Sequence, residues 1–430
     1  MKNSFFKATF ILLVGGFFTK IIGFLVRVIY MRIIGPSGVG LFSLVMPTYS
    51  LLICLANFNI QLAVSKRISS GNDSKSTVFN ACYIMFFLDI ILILLMFFCS
   101  KYISLYLLKN KDTFLPLMAC SLTLPFISIG YIIKGYFYGK QNMVPHMISN
   151  VLEQSFRLLL MLFVLRIFVK YGTVVLVSAL LLFNILSESF SIFIFYFFLP
   201  KNITLKKDDF RYQKNVKNDL LQVSIPSVGG RLIGNIGYFF EPVILTNILL
   251  LSGFSISYIT NEYGIYNSYS VGLLLFPSFF ITAICNSLLP EVSKLINEKK
   301  ICFAHKRIKQ ALLLSFGVGV CCTSIIFVFK DFLLNLLYGT NDGSSYISIL
   351  SPFFTLYYLE APLSTALIAF NKVKTCTFIS TSGIIIKFIF MVILGTIGFG
   401  IRCLIYAEVI NIIYVTLLDF ICLRRIFNNK

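Results

Sequence analysis

The chain has 430 residues, of which 58% are apolar, 16% aromatic and only 13% charged, with a formal net charge of +20. A soluble domain is typically about 45–50% apolar and about 25% charged, so the composition excludes a soluble globular protein and predicts an integral membrane protein. The cations fall in alternate loops rather than on one soluble face, which excludes nucleic acid as the partner.

Apolar stretches near twenty residues predict about twelve spans, at 8–34, 40–64, 78–99, 114–138, 147–169, 174–199, 219–250, 264–289, 310–329, 346–370, 376–397 and 401–423. The first is too long, and too charged in its middle, for a cleaved signal peptide. It carries Lys20, Arg27 and Arg32, which are costly at membrane depth and normally face a bundle interior or a watery cavity. Gly16, Lys20, Gly23 and Arg27 recur at steps of four, three and four, which places small residues and two cations about 10 Å apart on one helical face. No acid lies in this span to neutralise them, so the face is suited to meeting a negative group. Arg32, near the span's end, can reach the interface by snorkelling.

Lys and Arg concentrate at 66–75, 201–217, 294–309, 372–374 and 424–430, and are sparse in the intervening loops at 101–111, 166–170 and 330. This asymmetry predicts both termini in the cytoplasm and a multi-pass protein of the cytoplasmic membrane. The predicted domains are an N-terminal lobe at 1–200, a cytoplasmic inter-lobe loop at 201–219 and a C-terminal lobe at 220–430. A second polar stretch, 290–310, reads either as an amphipathic helix on the inner surface or as a solvated connector.

The two halves repeat. Residues 40–68 and 266–296 each carry a mid-helix proline (Pro47, Pro277) and close on Val-Ser-Lys; 139–165 aligns with 370–396 and sets Arg157 opposite Lys387; Lys20-Ile-Ile-Gly23 is echoed by Arg231-Leu-Ile-Gly234. Six spans per half makes this a parallel repeat. The predicted fold is therefore an all-α polytopic protein with two pseudo-symmetric six-helix bundles around a central cavity opened alternately to each side.

The substrate-binding candidates are Lys20, Arg27, Arg157 and Arg231, and the ion-coupling or gating candidates are Glu153, Glu241 and Glu360. Glu153 and Arg157 are four apart with the acid first, the favourable order for an internal pair. Asp89, Glu188, Lys387 and Glu408 are further single charges within spans. Gly229, Gly230, Gly234 and Gly237 make the seventh span a closely packing, mobile seam. No phosphate loop, His-Glu-x-x-His or Gly-x-Ser-x-Gly motif is present, and the scattered cysteines and His146 and His305 give no metal spacing. The chain reads as a carrier with no catalytic residue, no metal and no cofactor, with H+ or Na+ as the candidate coupling ion.

The segments IIGPSGVGLFSLVMPTYSLL (33–52) and GYFYGKQNMVPHMISNVLEQSFR (135–157) resemble the stage V sporulation protein B group. That group belongs to the multidrug/oligosaccharidyl-lipid/polysaccharide (MOP) exporter superfamily. The resemblance covers most of the chain and implies two six-helix lobes, a MATE-like fold and export of a lipid-linked oligosaccharide. It further implies a role in peptidoglycan precursor or polysaccharide export, sporulation, and cell-envelope synthesis proteins as partners. The Lys20-Ile-Ile-Gly23-Phe24 run is similar to the cationic first-helix motif of lipid II flippases, which implies contact with the lipid diphosphate. Ser37 stands where that family often has Glu, and Lys20 where it often has Arg.

Two transport readings follow. A polyprenyl-diphosphate substrate calls for a cationic cavity, and the first span with its cations and Arg231 fits that. A cation-coupled multidrug antiporter calls for carboxylates and aromatics, and Glu153, Glu241 and Glu360 keep it as the alternative.

Overall fold

The computed structural model describes residues 2–199 and 212–428, with side chains over 15–199 and 212–427. Helices account for nearly all of these residues, and no strand occurs among them. Backbone groups can be satisfied inside a bilayer only by helices or closed barrels, so an apolar chain of this kind resolves into helices. Nine helical segments of the described residues are long and apolar enough to cross a membrane. The twelve predicted spans are compatible with this: 15–69 counts as one segment, and two further helices, 144–168 and Ser344–Ala369, stand outside the nine.

The first helix, α1 (2–34), runs into α2 (36–69) through Gly35, whose φ of 68° and ψ of 176° break the helical path. Only glycine takes such a φ without strain, and Pro36 then supplies a preset helical start. Within α2 the helix breaks again at Phe58 and Asn59, with φ of 43° and 51°, and resumes over Ile60–Ser69. There follow α3 (Ser74–Tyr102), α4 (114–139), α5 (144–168) and α6 (Thr173–Phe197). The second half of the chain comprises α7 (Lys214–Leu251), α8 (256–297, interrupted at Pro277), α9 (Ile301–Val328), α10 (Ser344–Ala369), α11 (Val373–Thr396) and α12 (Arg402–Asn428).

Contacts group the chain into two compact units, Met1–Phe240 and Glu241–Lys430. The predicted inter-lobe loop at 201–219 lies mainly outside the described residues.

In the first unit, Ile60, Val64, Ile68, Met85, Ile132 and Leu220 form a buried cluster from α2, α3, α4 and α7. Gly135 and Gly139 let α4 lie directly on α2: a Cβ at Gly135 would stand 2.8 Å from the Gln61 carbonyl oxygen, and one at Gly139 2.7 Å from Ile68 Cβ. Asp89 on α3 is buried and accepts a hydrogen bond of 2.9 Å from Ser128 on α4. Only 22% of the apolar window of α3 is buried, against 67% for the 15–69 segment. The exposed phenylalanines of α3, among them Phe86, Phe97 and Phe98, therefore form a lipid-facing side, while α2 is buried over much of 38–49.

The second unit has its own core, in which Leu288 and Val292 of α8 meet Ala304 and Ile308 of α9, Leu363 and Leu367 of α10, and Leu423 of α12. Val64 and Val292, from the matched Val-Ser-Lys closings, are both fully buried in their respective cores. The 290–310 stretch forms no separate surface helix. Instead, α8 extends to Asn297, turns through Glu298–Lys300 and returns as α9, with Arg307 paired to Glu291 at 2.7 Å and His305 stacked on Phe427. Helical extension wins because the apolar residues of this stretch complete the α8–α9 core, which leaves its charges on the outer faces.

Candidate substrate cavity and charge clusters

A cavity of about 460 Å³ lies among α1, α2, α4, α5 and α6 of the first unit. Arg27 enters it from α1, Glu153 and Arg157 from α5, and Glu188 from α6, with Tyr30, Tyr49 and Tyr131 among its aromatic walls. The spacing of Glu153 and Arg157 produces the internal pair it predicts, with Arg157 Nη2 donating to Glu153 Oε1 at 2.9 Å. Arg157 Nε and Nη2 also donate to Ser187 Oγ at 3.1 and 3.0 Å, which fixes the guanidinium plane against α6. A guanidinium has five donors in a rigid fork, so this anchoring leaves capacity for the oxygens of an anion.

Glu188 is the residue whose importance the sequence understates. Its Oε2 is buried and has no hydrogen-bond partner among the described residues. It occupies space that glycine leaves open on α4: a Cβ on Gly130 would lie 2.9 Å from that oxygen. Nothing local to α6 announces this arrangement beyond an acid inside an apolar span.

The helical face expected on α1 divides by depth. Gly23 and Arg27 line the cavity, whereas Gly16 and Lys20 are exposed and do not line it. The tight helix approach falls on Gly15 rather than Gly16, since a Cβ at Gly15 would overlap Met147 of α5, whereas one at Gly16 meets nothing within 4 Å. Arg32 is exposed at the end of α1.

Arg231 occupies a second cavity, of about 280 Å³, with Ser50, Asn57, Asn59 and Asn235. Its Nη1 donates to Asn59 Oδ1 at 3.4 Å, and Asn59 Nδ2 donates to the Ser227 carbonyl at 3.3 Å. Ile53 on α2 lines both cavities, so the one that holds Arg231 adjoins the one that holds Arg27 and Arg157.

In the second unit, the ammonium of Lys387 on α11 sits between two carboxylates. Glu241 of α7 is 2.5 Å away through Oε2, and Glu408 of α12 completes the clamp. Tyr263 of α8 donates to the other oxygen of Glu241 at 3.1 Å. Lys387 and Glu241 are both buried. Glu360 of α10 accepts a long bond of 3.5 Å from Thr416, and the buried Asp419 accepts 2.7 Å from Ser364. Three predicted coupling residues are thus divided: Glu153 in the first unit, Glu241 held by Lys387, and Glu360 beside α12.

Residues 5–296 match the family described as polysaccharide biosynthesis protein. The chain is 32% identical to stage V sporulation protein B of Bacillus subtilis (strain 168), over 97% of this chain and 83% of that protein. It is 24% identical to lipid II flippase MurJ of the same organism, over 38% of this chain and 32% of that protein. Among solved structures it is similar to an inward-facing multidrug resistance MATE family transporter of the MOP superfamily, with a TM-score of 0.69, 17% identity and 95% coverage of both chains. With that fold, helices long and apolar enough to cross a membrane, and a match over most of its length, the chain is a multi-pass membrane protein belonging to the polysaccharide biosynthesis protein family.

Proposed function

We propose that this protein flips a polyprenyl-diphosphate-linked saccharide or peptidoglycan precursor across the cytoplasmic membrane by alternating access, with both termini in the cytoplasm. The observation that carries this reading is the pair of guanidiniums, Arg27 and Arg157, in one cavity of the first unit. A diphosphate presents several oxygens to forked donors, and charge-assisted bonds of this kind are about twice as strong as neutral ones. Arg231, in the neighbouring cavity, supplies a further cation on the same side of the repeat. The names of the relatives, a sporulation protein and a lipid II flippase, support this substrate class and a role in cell-envelope or spore-cortex synthesis.

Coupling follows from charge balance. With Glu153 and Glu188 both ionised, two acids face Arg27 and Arg157 in the cavity, and Lys134, whose ammonium lies 5.6 Å from the ring of Tyr131 in the cavity wall, adds a third cation beside them. A proton on Glu188 makes the site more positive and better suited to an anion, and loss of that proton makes it less so. Glu241 and Glu360 extend the acid set into the second unit, where Na+ is the other candidate ion.

A second reading draws on the same cavity. A carboxylate with one oxygen free of hydrogen bonds among the described residues, set among tyrosines, suits an organic cation, as in multidrug antiporters. Proteoliposomes separate the two. The flippase reading predicts translocation of a fluorescent polyprenyl-diphosphate sugar and no pH-driven ethidium accumulation. Ethidium transport without lipid translocation would favour the antiporter.

A further inference from the structure

Three turns at one end of the second unit close around a cavity of about 580 Å³. They are the α7–α8 connection at 252–255, the start of α10 and the α11–α12 connection at 397–401. Phe254 and Tyr258 stack there at 5.1 Å with an interplanar angle of 19°, and Tyr346, Ser345, Phe399 and Arg402 complete the bowl. The α11–α12 turn folds tightly because Gly398 and Gly400 take φ of 96° and 56°. At Gly400 a Cβ would stand 3.1 Å from the Tyr258 hydroxyl, so glycine is what brings this backbone onto the tyrosine.

The chemistry of the bowl is mixed in a specific way. Phe399 is 45% exposed and lines the cavity. Tyr258 and Ser345 provide hydroxyls. The hydroxyl of Tyr346 is directed to the carboxylate of Glu262, which engages the acid nearest to it. Arg402, the first residue of α12, is exposed and makes no hydrogen bond or ion pair among the described residues. An open guanidinium beside an aromatic face and hydroxyls matches a sugar ring that carries a carboxylate or phosphate. The ring's C–H face rests on the aromatic, the hydroxyls pair with hydroxyls, and the acid takes the fork. The volume falls within the range of small-ligand sites, about 300–1,000 Å³.

This end of α12 is opposite the end that carries Arg424 and Arg425, so the charge rule that orients the chain puts the bowl on the outer side. We propose that it is an exit-side site for an anionic sugar residue of the translocated saccharide. The proposal rests on the saccharide reading of the substrate and adds to it a place where the delivered head group is held.

The chain contains no tryptophan, which makes a sensitive test available. Phe399→Trp and, separately, the exposed Ile397→Trp each install a single emitter at the bowl. The full-length proteins in detergent are titrated with glucuronate, N-acetylmuramic acid, glucose and glycerol 3-phosphate. The expected result is a saturable emission change with the two acidic sugars, at least tenfold weaker with glucose and at least tenfold weaker when Arg402→Gln is added. An equal or stronger response to glycerol 3-phosphate would overturn the proposal in favour of a lipid-headgroup phosphate site. Silence in both reporters, or indifference to Arg402→Gln, would overturn it outright. A protein that translocates the lipid-linked sugar but gives no emission change loses this inference alone. One that binds acidic sugars but translocates no lipid-linked sugar loses the transport reading instead.

Discussion

The matched helices α5 and α11 each place a cation inside their unit, and the surroundings give the two cations different work. Arg157 is tied by one acid and one serine and still lines a cavity. Lys387 is gripped by two acids drawn from different helices, α7 and α12. A guanidinium fixed at one edge keeps donors for a ligand, whereas an ammonium between two carboxylates is committed to them. The comparison teaches that the repeat conserves the position of a positive charge but not its availability. The first unit leaves its cations lining a cavity; the second holds its cation between carboxylates of two other helices.

The largest effect is expected where charge is committed. Lys387→Met leaves Glu241 and Glu408 without their cation in a buried setting, and breaking such a pair costs about 3–5 kcal/mol. Thermal unfolding in detergent should show this loss, and the triple change with Glu241→Gln and Glu408→Gln should recover part of it. A Lys387→Met protein as stable as wild type would erase the contrast between the units. Next, Arg157→Ala should lower lipid-sugar translocation about tenfold or more, the scale of one lost charge-assisted contact, while costing stability only about 1–3 kcal/mol. Arg157→Lys keeps the charge and loses the fork, so a smaller, few-fold drop is expected in the same flux assay. The mildest change is Gly130→Ala, which displaces the flexible end of Glu188. Its signature is an altered dependence of flux on the proton gradient with little change in melting temperature; an unchanged dependence would remove Glu188 from coupling.

Local physics made much of this readable in advance. The apolar spans, the repeat and the Glu153–Arg157 pair all follow from composition and helical spacing, and the matched Val64 and Val292 both reached their cores. What resisted reading depends on contacts between distant helices. The partners of Lys387 come from α7 and α12, and no spacing within α11 reveals them. Glu188 matters because Gly130, on a different helix, leaves room for it. The place of Arg231 in an adjoining cavity, beside Asn57, Asn59 and Asn235, and the exposure of Lys20 on the α1 face both depend on how neighbouring helices pack. The 290–310 stretch was ambiguous because a long hairpin and a surface helix share the same amphipathic pattern.

The most direct test of the account is translocation of a fluorescent polyprenyl-diphosphate sugar in proteoliposomes by Arg27→Ala and Lys20→Ala proteins, measured side by side. Arg27 lines the cavity and Lys20 does not, so the account predicts a fall of about tenfold or more for Arg27→Ala and a clearly smaller one for Lys20→Ala. Wild-type flux from Arg27→Ala, or a greater loss from Lys20→Ala, would contradict the assignment of this cavity to the diphosphate.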